Sequence, residues 1–186
     1  ILCEFGCEFG YFGYIDENGA LVCPSMTRDI WSRCRVTGKS IEFPQASWGG
    51  LWGESLKKSQ TLCRNERLNP PAGHVPLHNA LAVPLMVEEA LIGQIVIANK
   101  PEDFTDQDQA HLESFAEFIS PVLQIYLDKE TALQNLQSHA KMVEEKNIAL
   151  KVLIENRDEE KKKMADMILS SFERMVFPYY EKVKSC

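Results

Sequence analysis

Cysteine, histidine and tryptophan are the side chains of this sequence with chemistry to offer, and their spacing limits what that chemistry can be. The six cysteines are Cys3, Cys7, Cys23, Cys34, Cys63 and Cys186. Cys3 and Cys7 form a C-x3-C pair, which lacks the paired C-x2-C spacing of a zinc site, and the other four stand alone. The set reads as reduced, structural thiols, with a redox sensor using Cys3, Cys7, Cys23 or Cys34 as the alternative. No metal site is expected. The sequence contains no Gly-x-Ser-x-Gly elbow, His-Glu-x-x-His pair or Gly-x-Gly-x-x-Gly loop, so no catalytic residue is expected and a non-enzymatic protein is.

Binding chemistry has better candidates. Trp31, Trp48 and Trp52 fall within twenty-two residues. Large aromatic rings supply apolar walls with one polar edge, which suits planar ligands. Arg64, His74, His78 and Asn79 stand near strand ends, where groups that orient a ligand can sit. A cavity between a sheet and the segment 30–78 is therefore expected, walled by one or more of the tryptophans with Arg64 or His74 nearby. The competing expectation is that the same rings fill a core and leave no void.

The elements that must hold these residues change character near Pro101. Before it lie short strand-like runs punctuated by Gly and Pro. Tyr11–Asp16 and Ala20–Cys23 flank Asp16-Glu17-Asn18-Gly19 as a hairpin. Short helices are expected at Asp29–Arg35, capped by Asp29, and at Gly50–Ser59. Thr61–Asn65 fits a strand and Leu68–His78, with Pro70-Pro71 and Gly73, a loop. Ala80–Val87 and Leu91–Ala98 are nearly all apolar, so both belong at the centre of a sheet covered by helices.

After Pro101 a long helix opens at Thr105, with Asp106 and Asp108 suiting its positive end. Apolar residues then recur in 3,4 steps at Leu112, Phe115, Ile119, Val122 and Tyr126, and onward through Leu133, Leu136, Ala140, Val143, Leu150 and Ile154. That is the spacing of a coiled-coil seam. Asp106–Asn156 would span roughly 75 Å at 1.5 Å per residue, too far for one small domain to cover. Pro121 is expected to kink the helix. Asn147 interrupts the seam in a way that fixes register, and Arg157 and Lys161 weaken it. Met164, Met167, Ile168 and Phe172 resume an apolar face up to Pro178.

Several short motifs occur in a telling order. Phe9-Gly10-Tyr11-Phe12-Gly13-Tyr14-Ile15-Asp16, Gly50-Leu51-Trp52-Gly53 and Gly73-His74-Val75-Pro76-Leu77 are followed by Val83-Pro84-Leu85, Ile92-Gly93 and Ile97-Ala98-Asn99-Lys100. The sequence resembles bacterial GAF domains in these landmarks, and its residues 105–128 are similar to that family's closing helix. The resemblance implies an α+β fold: a central antiparallel sheet flanked by helices, with a pocket on one side, extended here by a long C-terminal coiled-coil helix. It also implies an opening helix that is cut short here, placing the domain start upstream of Ile1. Asn99, Lys100, Phe104 and Asp108 look like the Asn-Lys…Phe-x3-Asp-Glu motif of cyclic-nucleotide-binding members, with Gln109 replacing the last Glu. A structural Lys100–Asp108 ion pair is the expected content. Ala149–Glu155 and Phe177–Lys182 resemble the linker preceding a LuxR-type DNA-binding domain.

The expected organisation is a GAF sensor domain over 1–128, a coiled-coil signalling helix over 129–156, and a helical linker over 157–186 toward an output domain. The expected function is sensing of an unidentified small-molecule ligand and transmission through a homodimer in a bacterial regulator. A pure dimerisation scaffold with an empty pocket is the alternative. The net charge of −7 argues against nucleic-acid binding by this chain itself. No run reaches the roughly 18 apolar residues of a membrane span, and a cytoplasmic location is expected.

Overall fold

The computed structural model describes residues 1–184, and the side chains of all of these except Asp29 and 177–184. The chain divides into two units, Ile1–Lys129 and Glu130–Cys186.

The first unit is built on strands β1 (Phe9–Ile15), β2 (Leu21–Met26), β3 (Glu42–Phe43), β4 (Leu62–Arg64), β5 (Ala80–Val87) and β6 (Ala90–Ala98). They form one sheet in the order β3-β2-β1-β6-β5-β4, with every neighbour antiparallel. The predicted hairpin is present as β1 and β2, and β5 and β6 form another. In the first, the Asp16 carboxylate accepts the N–H groups of Asn18 (3.0 Å) and Ala20 (2.7 Å), which tightens the turn without help from the strands. The apolar runs of β5 and β6 lie together near the centre, as two-sided burial requires.

Alternate residues of these strands serve two cores. Leu81, Val83, Leu85, Ile95 and Ile97 face helices α1 (Leu2–Phe5) and α4 (Asp106–Lys184), packing on Phe5, Phe104, Leu112, Ala116 and Leu123. Ala80, Ala82, Val96 and Ala98 face the other way, toward Leu51 of α3 (Gly50–Lys58), Val75 and the half-buried Trp52, Leu68 and Leu77. Small side chains on this second face let α3 and the covering loops approach closely. Helix α2 (Arg28–Arg33) begins one residue before the expected cap. Asp29 is therefore inside the helix; its side chain lies outside the described residues.

Helix α4 opens as the sequence predicts, on a reciprocal cap. The Asp108 N–H donates to the Thr105 hydroxyl (3.2 Å), and the Thr105 N–H donates to the Asp108 carboxylate (2.7 Å). The helix continues through Pro121 and Pro178. Proline removes one backbone bond, here to the Glu117 carbonyl, and Glu117 and Pro121 are both exposed. One expectation for this helix is corrected: Leu112 does not share a seam with Phe115, Val122 and Tyr126. Leu112 and Leu123 are buried against the sheet, whereas Phe115, Val122 and Tyr126 are exposed. A helix on a sheet buries a 3.6-residue stripe (Leu112, Ala116, Ile119, Leu123, Leu127), and that stripe drifts away from a 3.5-residue seam.

Among the described residues the second unit is helix alone, and every side chain from 131 to 176 is exposed. Leu136, Ala140, Val143 and Asn147 line one shallow groove along it, flanked by His139, Glu144, Ile148 and Lys151. These four are predicted seam positions. No described helix is long and apolar enough to cross a membrane.

Candidate functional site

The α3 face of the sheet carries one polar residue in an otherwise apolar strand. Gln94, fully buried, accepts a hydrogen bond from the Tyr11 hydroxyl (2.6 Å) and donates to the Trp52 carbonyl (2.9 Å). A buried amide or phenol costs roughly 1–3 kcal/mol if left without a partner, so this chain of bonds is a fixed feature of the face. Burial, with a smaller contribution from Cys23, pushes the Tyr11 hydroxyl well above its ordinary range and keeps it a donor.

The tryptophans divide by position. Trp48 is 4% exposed and forms a core with Leu21, Cys23 and Leu56, its indole N–H donating to the Phe43 carbonyl (3.0 Å). Trp52 is half-buried, touches both cores on this face, and meets Phe43 edge-on at 5.6 Å. Trp31 is 39% exposed, with the Lys39 ammonium 5.6 Å above its ring. Gly53 lets the chain entering α3 fold back on the helix's first turn: a Cβ there would run into the Trp48 backbone. Neither of the two cavities described on this chain is lined by a tryptophan: Trp48 packs into a core, and Trp52 offers its backbone carbonyl to Gln94.

The other predicted residues spread around the rim. Arg64, on edge strand β4, reaches Glu54 of α3 at 3.6 Å. His74 holds its own loop: its Nδ1 lies 2.8 Å from the Val75 carbonyl, which can only accept, so Nδ1 carries the proton. Gly73 before it has φ +88°, and a Cβ there would strike the Arg35 carbonyl and its neighbours. His78 is exposed, and its backbone N–H donates to the Asn99 side chain (2.9 Å).

His78 and Asn99 belong to a polar cleft of about 530 Å³, lined also by Cys7, Glu8, Asn65, Asn79, Lys100 and Asp103. Three asparagines tie its walls together. Asn65 brackets Phe104, accepting from its N–H (2.8 Å) and donating to its carbonyl (2.9 Å). Asn79, buried, accepts from the Lys100 N–H (2.9 Å) and donates to the Lys100 and Glu102 carbonyls (2.9 and 3.0 Å). Asn99 accepts from His78 and donates to the Pro76 carbonyl (3.1 Å). The segment 65–79 is thus bonded at three points to the connection between β6 and α4.

Lys100 completes that connection. Its ammonium donates to Asp108 at 2.7 Å and lies 5.9 Å over the Phe104 ring. Burial works against ionisation of Asp108, but the Lys100 bond and the two Thr105 bonds outweigh it and hold the carboxyl at about 2. Three of the four motif residues, Lys100, Phe104 and Asp108, therefore meet at the start of α4, while the Asn99 side chain turns to Pro76 and His78. Of the residues that sequence reasoning passed over, Gln94 was visible as a lone amide in an apolar strand. Asn65 and Tyr11 gave no signal.

Thiol chemistry is muted. Burial raises Cys23 to about 12 and Cys7 to about 11, and burial together with Asp108, Asp103 and Asp106 raises Cys63. A thiol held protonated is a poor nucleophile. Among the described residues no group of three or more His, Cys, Asp or Glu side chains is placed to hold a metal ion.

A single antiparallel sheet, with its terminal helices on one face and a helix and long loops on the other, defines a class of small α+β domains. Within that class the chain belongs to the GAF domain family, whose profile matches residues 1–124. Solved structures agree in fold. The GAF domain of a phosphoenolpyruvate-protein phosphotransferase from Coxiella burnetii superposes with a TM-score of 0.54 at 16% identity, over 70% of this chain and 80% of that one. The second GAF domain of DevS from Mycobacterium smegmatis gives 0.53 at 14% identity, over 70% and 90%. A free methionine-R-sulfoxide reductase from Neisseria meningitidis, solved with its substrate, gives 0.50 at 18% identity, over 66% and 71%. No curated protein matches the sequence.

Proposed function

We propose that this chain is a non-enzymatic small-molecule sensor that reports through its long helix. The observation that carries this reading is the buried Tyr11–Gln94–Trp52 bond chain. It places a donor and an acceptor on the apolar α3 face, bonded to each other and closed off by the Trp52 carbonyl of α3. A ligand that displaces Trp52 inherits a prepared amide and phenol, between apolar walls from Ala82, Val96 and Leu51. Trp48 and Trp52 wall that side, while Trp31, Arg64, His74 and His78 lie in the covering segment where an entering ligand meets the protein first. Asn99, Lys100, Phe104 and Asp108 act structurally.

The three asparagines supply the route outward. Moving the segment 65–79 loads its bonds to Phe104, Lys100 and Glu102, and those residues lead directly into α4. A ligand shifts the two arrangements only by its difference in affinity for them. Downstream, residues 129–156 pair in parallel with a second copy through Leu136, Ala140, Val143 and Asn147, and 157–186 lead to an output domain. The resemblance of that last stretch favours a LuxR-type DNA-binding output in a cytoplasmic bacterial regulator.

Thermal-shift screening of small planar metabolites tests the sensor. A true ligand raises the melting temperature of the parent, and Gln94→Leu abolishes that rise. Failure of every compound to stabilise the parent, with dimerisation intact, favours the second reading of a dimerisation scaffold. That reading is supported by the close packing of Trp48 in its core. Burial of Cys7 and Cys23, which holds both thiols protonated, weighs against those two as the thiols of a redox sensor and leaves Cys3 and Cys34 as its candidates.

A further inference from the structure

Residues 65–79 join β4 to β5 without a helix or strand of their own. A connection of this length without regular structure is uncommon in a compact domain, and such loops tend to carry function. Its two ends are firmly held. At one end Asn65 bonds twice to Phe104. At the other, Asn79 bonds to Lys100 and Glu102, and Asn99 takes the Pro76 carbonyl and the His78 N–H. The stretch 66–75 between them is held lightly. Among the described residues two backbone hydrogen bonds join it to the rest of the chain: the Leu68 N–H donates to the Leu77 carbonyl (3.0 Å), and the Arg35 N–H donates to the Gly73 carbonyl (2.7 Å). Arg35 is itself exposed, in the irregular stretch that follows α2. Underneath, Val75 and Leu68 rest on a cluster that includes Ala80, Ala82, Val96 and Ala98. Three alanines make a shallow floor, so withdrawing those two side chains uncovers it without moving the sheet.

We propose that residues 66–75 form a lid over the α3 face, hinged at Asn65 and at 76–79 and latched at its tip by the Arg35–Gly73 bond, and that this lid opens while the sheet stays folded. Opening breaks two backbone bonds and unseats two apolar side chains, far less than global unfolding removes, so it belongs to the low-energy end of local opening. Gly73 is what lets the latch close. Its φ of +88° suits glycine, and a Cβ there would lie 2.8 Å from the Arg35 carbonyl oxygen, so a side chain at this position drives the two backbones apart. The use of the lid as a ligand's way to the Tyr11–Gln94 pair rests on the sensor reading above; its opening does not.

Amide hydrogen exchange of the full chain, read residue by residue by NMR, tests the lid without any ligand. In the parent, the Leu68 and Arg35 N–H groups should exchange at least about tenfold faster than the central N–H groups of β5 and β6, at rates that low urea leaves unchanged while those of the strands accelerate. Gly73→Ala should speed Leu68 by a further factor of about ten or more and leave β5 and β6 at parent rates. Gly19→Ala is the control for backbone strain: its φ is +76° but an added Cβ there meets nothing within 4 Å, so Leu68 should keep its parent rate. A second reading follows the side chain. In a Val75→Cys background, iodoacetamide labelling of position 75, followed by mass spectrometry, should quicken when Gly73→Ala is added. Exchange of Leu68 and Arg35 together with β5 and β6, with the same urea dependence, overturns the proposal on the parent alone, even if a variant fails to fold. A Gly73→Ala variant that leaves Leu68 unchanged, or that speeds the strands equally, overturns the latch. Failure of a ligand screen would sink the sensor and leave the lid standing, whereas shared exchange would sink the lid and leave the screen's result on the sensor intact.

Discussion

Replacing Asn79 with alanine removes three hydrogen bonds at once from a side chain only 5% exposed: those to the Lys100 N–H, the Lys100 carbonyl and the Glu102 carbonyl. Each bond contributes about 1 kcal/mol net, and a buried backbone group left alone costs more. The polar cleft beside Asn79 lets water reach part of the gap, so the expected loss is about 2–3 kcal/mol. For a unit of this size that lowers the melting temperature by roughly 6–12 °C. Urea unfolding followed by tryptophan fluorescence is the appropriate assay, because Trp31, Trp48 and Trp52 all lie in the first unit and the distal helix has no tryptophan. Asn79→Asp sharpens the test. It keeps the size and one acceptor but turns a carboxylate oxygen toward two carbonyl oxygens, so it should be at least as damaging as alanine. If either variant unfolds within about 0.5 kcal/mol of the parent, the asparagine ties do not hold the covering segment to α4.

Lys100→Met should destabilise by about 1–2 kcal/mol, because both partners are 16% exposed and water screens the pair in part. It should leave the affinity of any identified ligand nearly unchanged once corrected for folded fraction; a collapse of affinity at full stability would restore a binding role. Asp108 sits at about 2 in the fold against an ordinary 3.8, so its contribution is complete above about pH 4 and is lost as pH falls toward 2. The gap between parent and Lys100→Met should therefore close over that interval in acid titrations. Gly53→Ala should cost more than about 2 kcal/mol in the same urea assay, since its methyl group meets the Trp48 backbone at the entry to α3; parent-like stability would show that this entry can shift. Cys23 and Cys7 ionise in the fold only near 12 and 11, but near 9 when unfolded, so stability should decline as pH rises above about 9. At pH 8, exposed Cys3 should react with iodoacetamide well before either buried thiol, and mass spectrometry showing equal labelling would contradict their burial.

Whatever depends on neighbours in the chain was legible in the sequence. The apolar runs that became β5 and β6, the hairpin at Asp16–Gly19 and the Thr105 cap join residues a few positions apart, within reach of periodicity and short hydrogen bonds, whereas the Lys100–Asp108 pair was legible only through the family motif it resembles. The start of α4 was visible for the same reason. Tertiary structure decided which way side chains of like character turn. Trp48 and Trp31 are equally apolar on paper, yet one fills a core against Leu21 and Leu56 while the other lies under Lys39 in solvent. The seam predicted from Leu112 onward divides because the sheet takes a 3.6-residue stripe, a preference that becomes visible only when the sheet is beside the helix. Asn65, Asn79 and Asn99 are separated by many residues, and each looks like an ordinary loop or strand-end amide. They become one device only because the order β1-β6-β5-β4 places both ends of the covering segment beside the entrance to α4. A long-range hydrogen bond depends on where two distant segments meet, and composition and local spacing do not encode that.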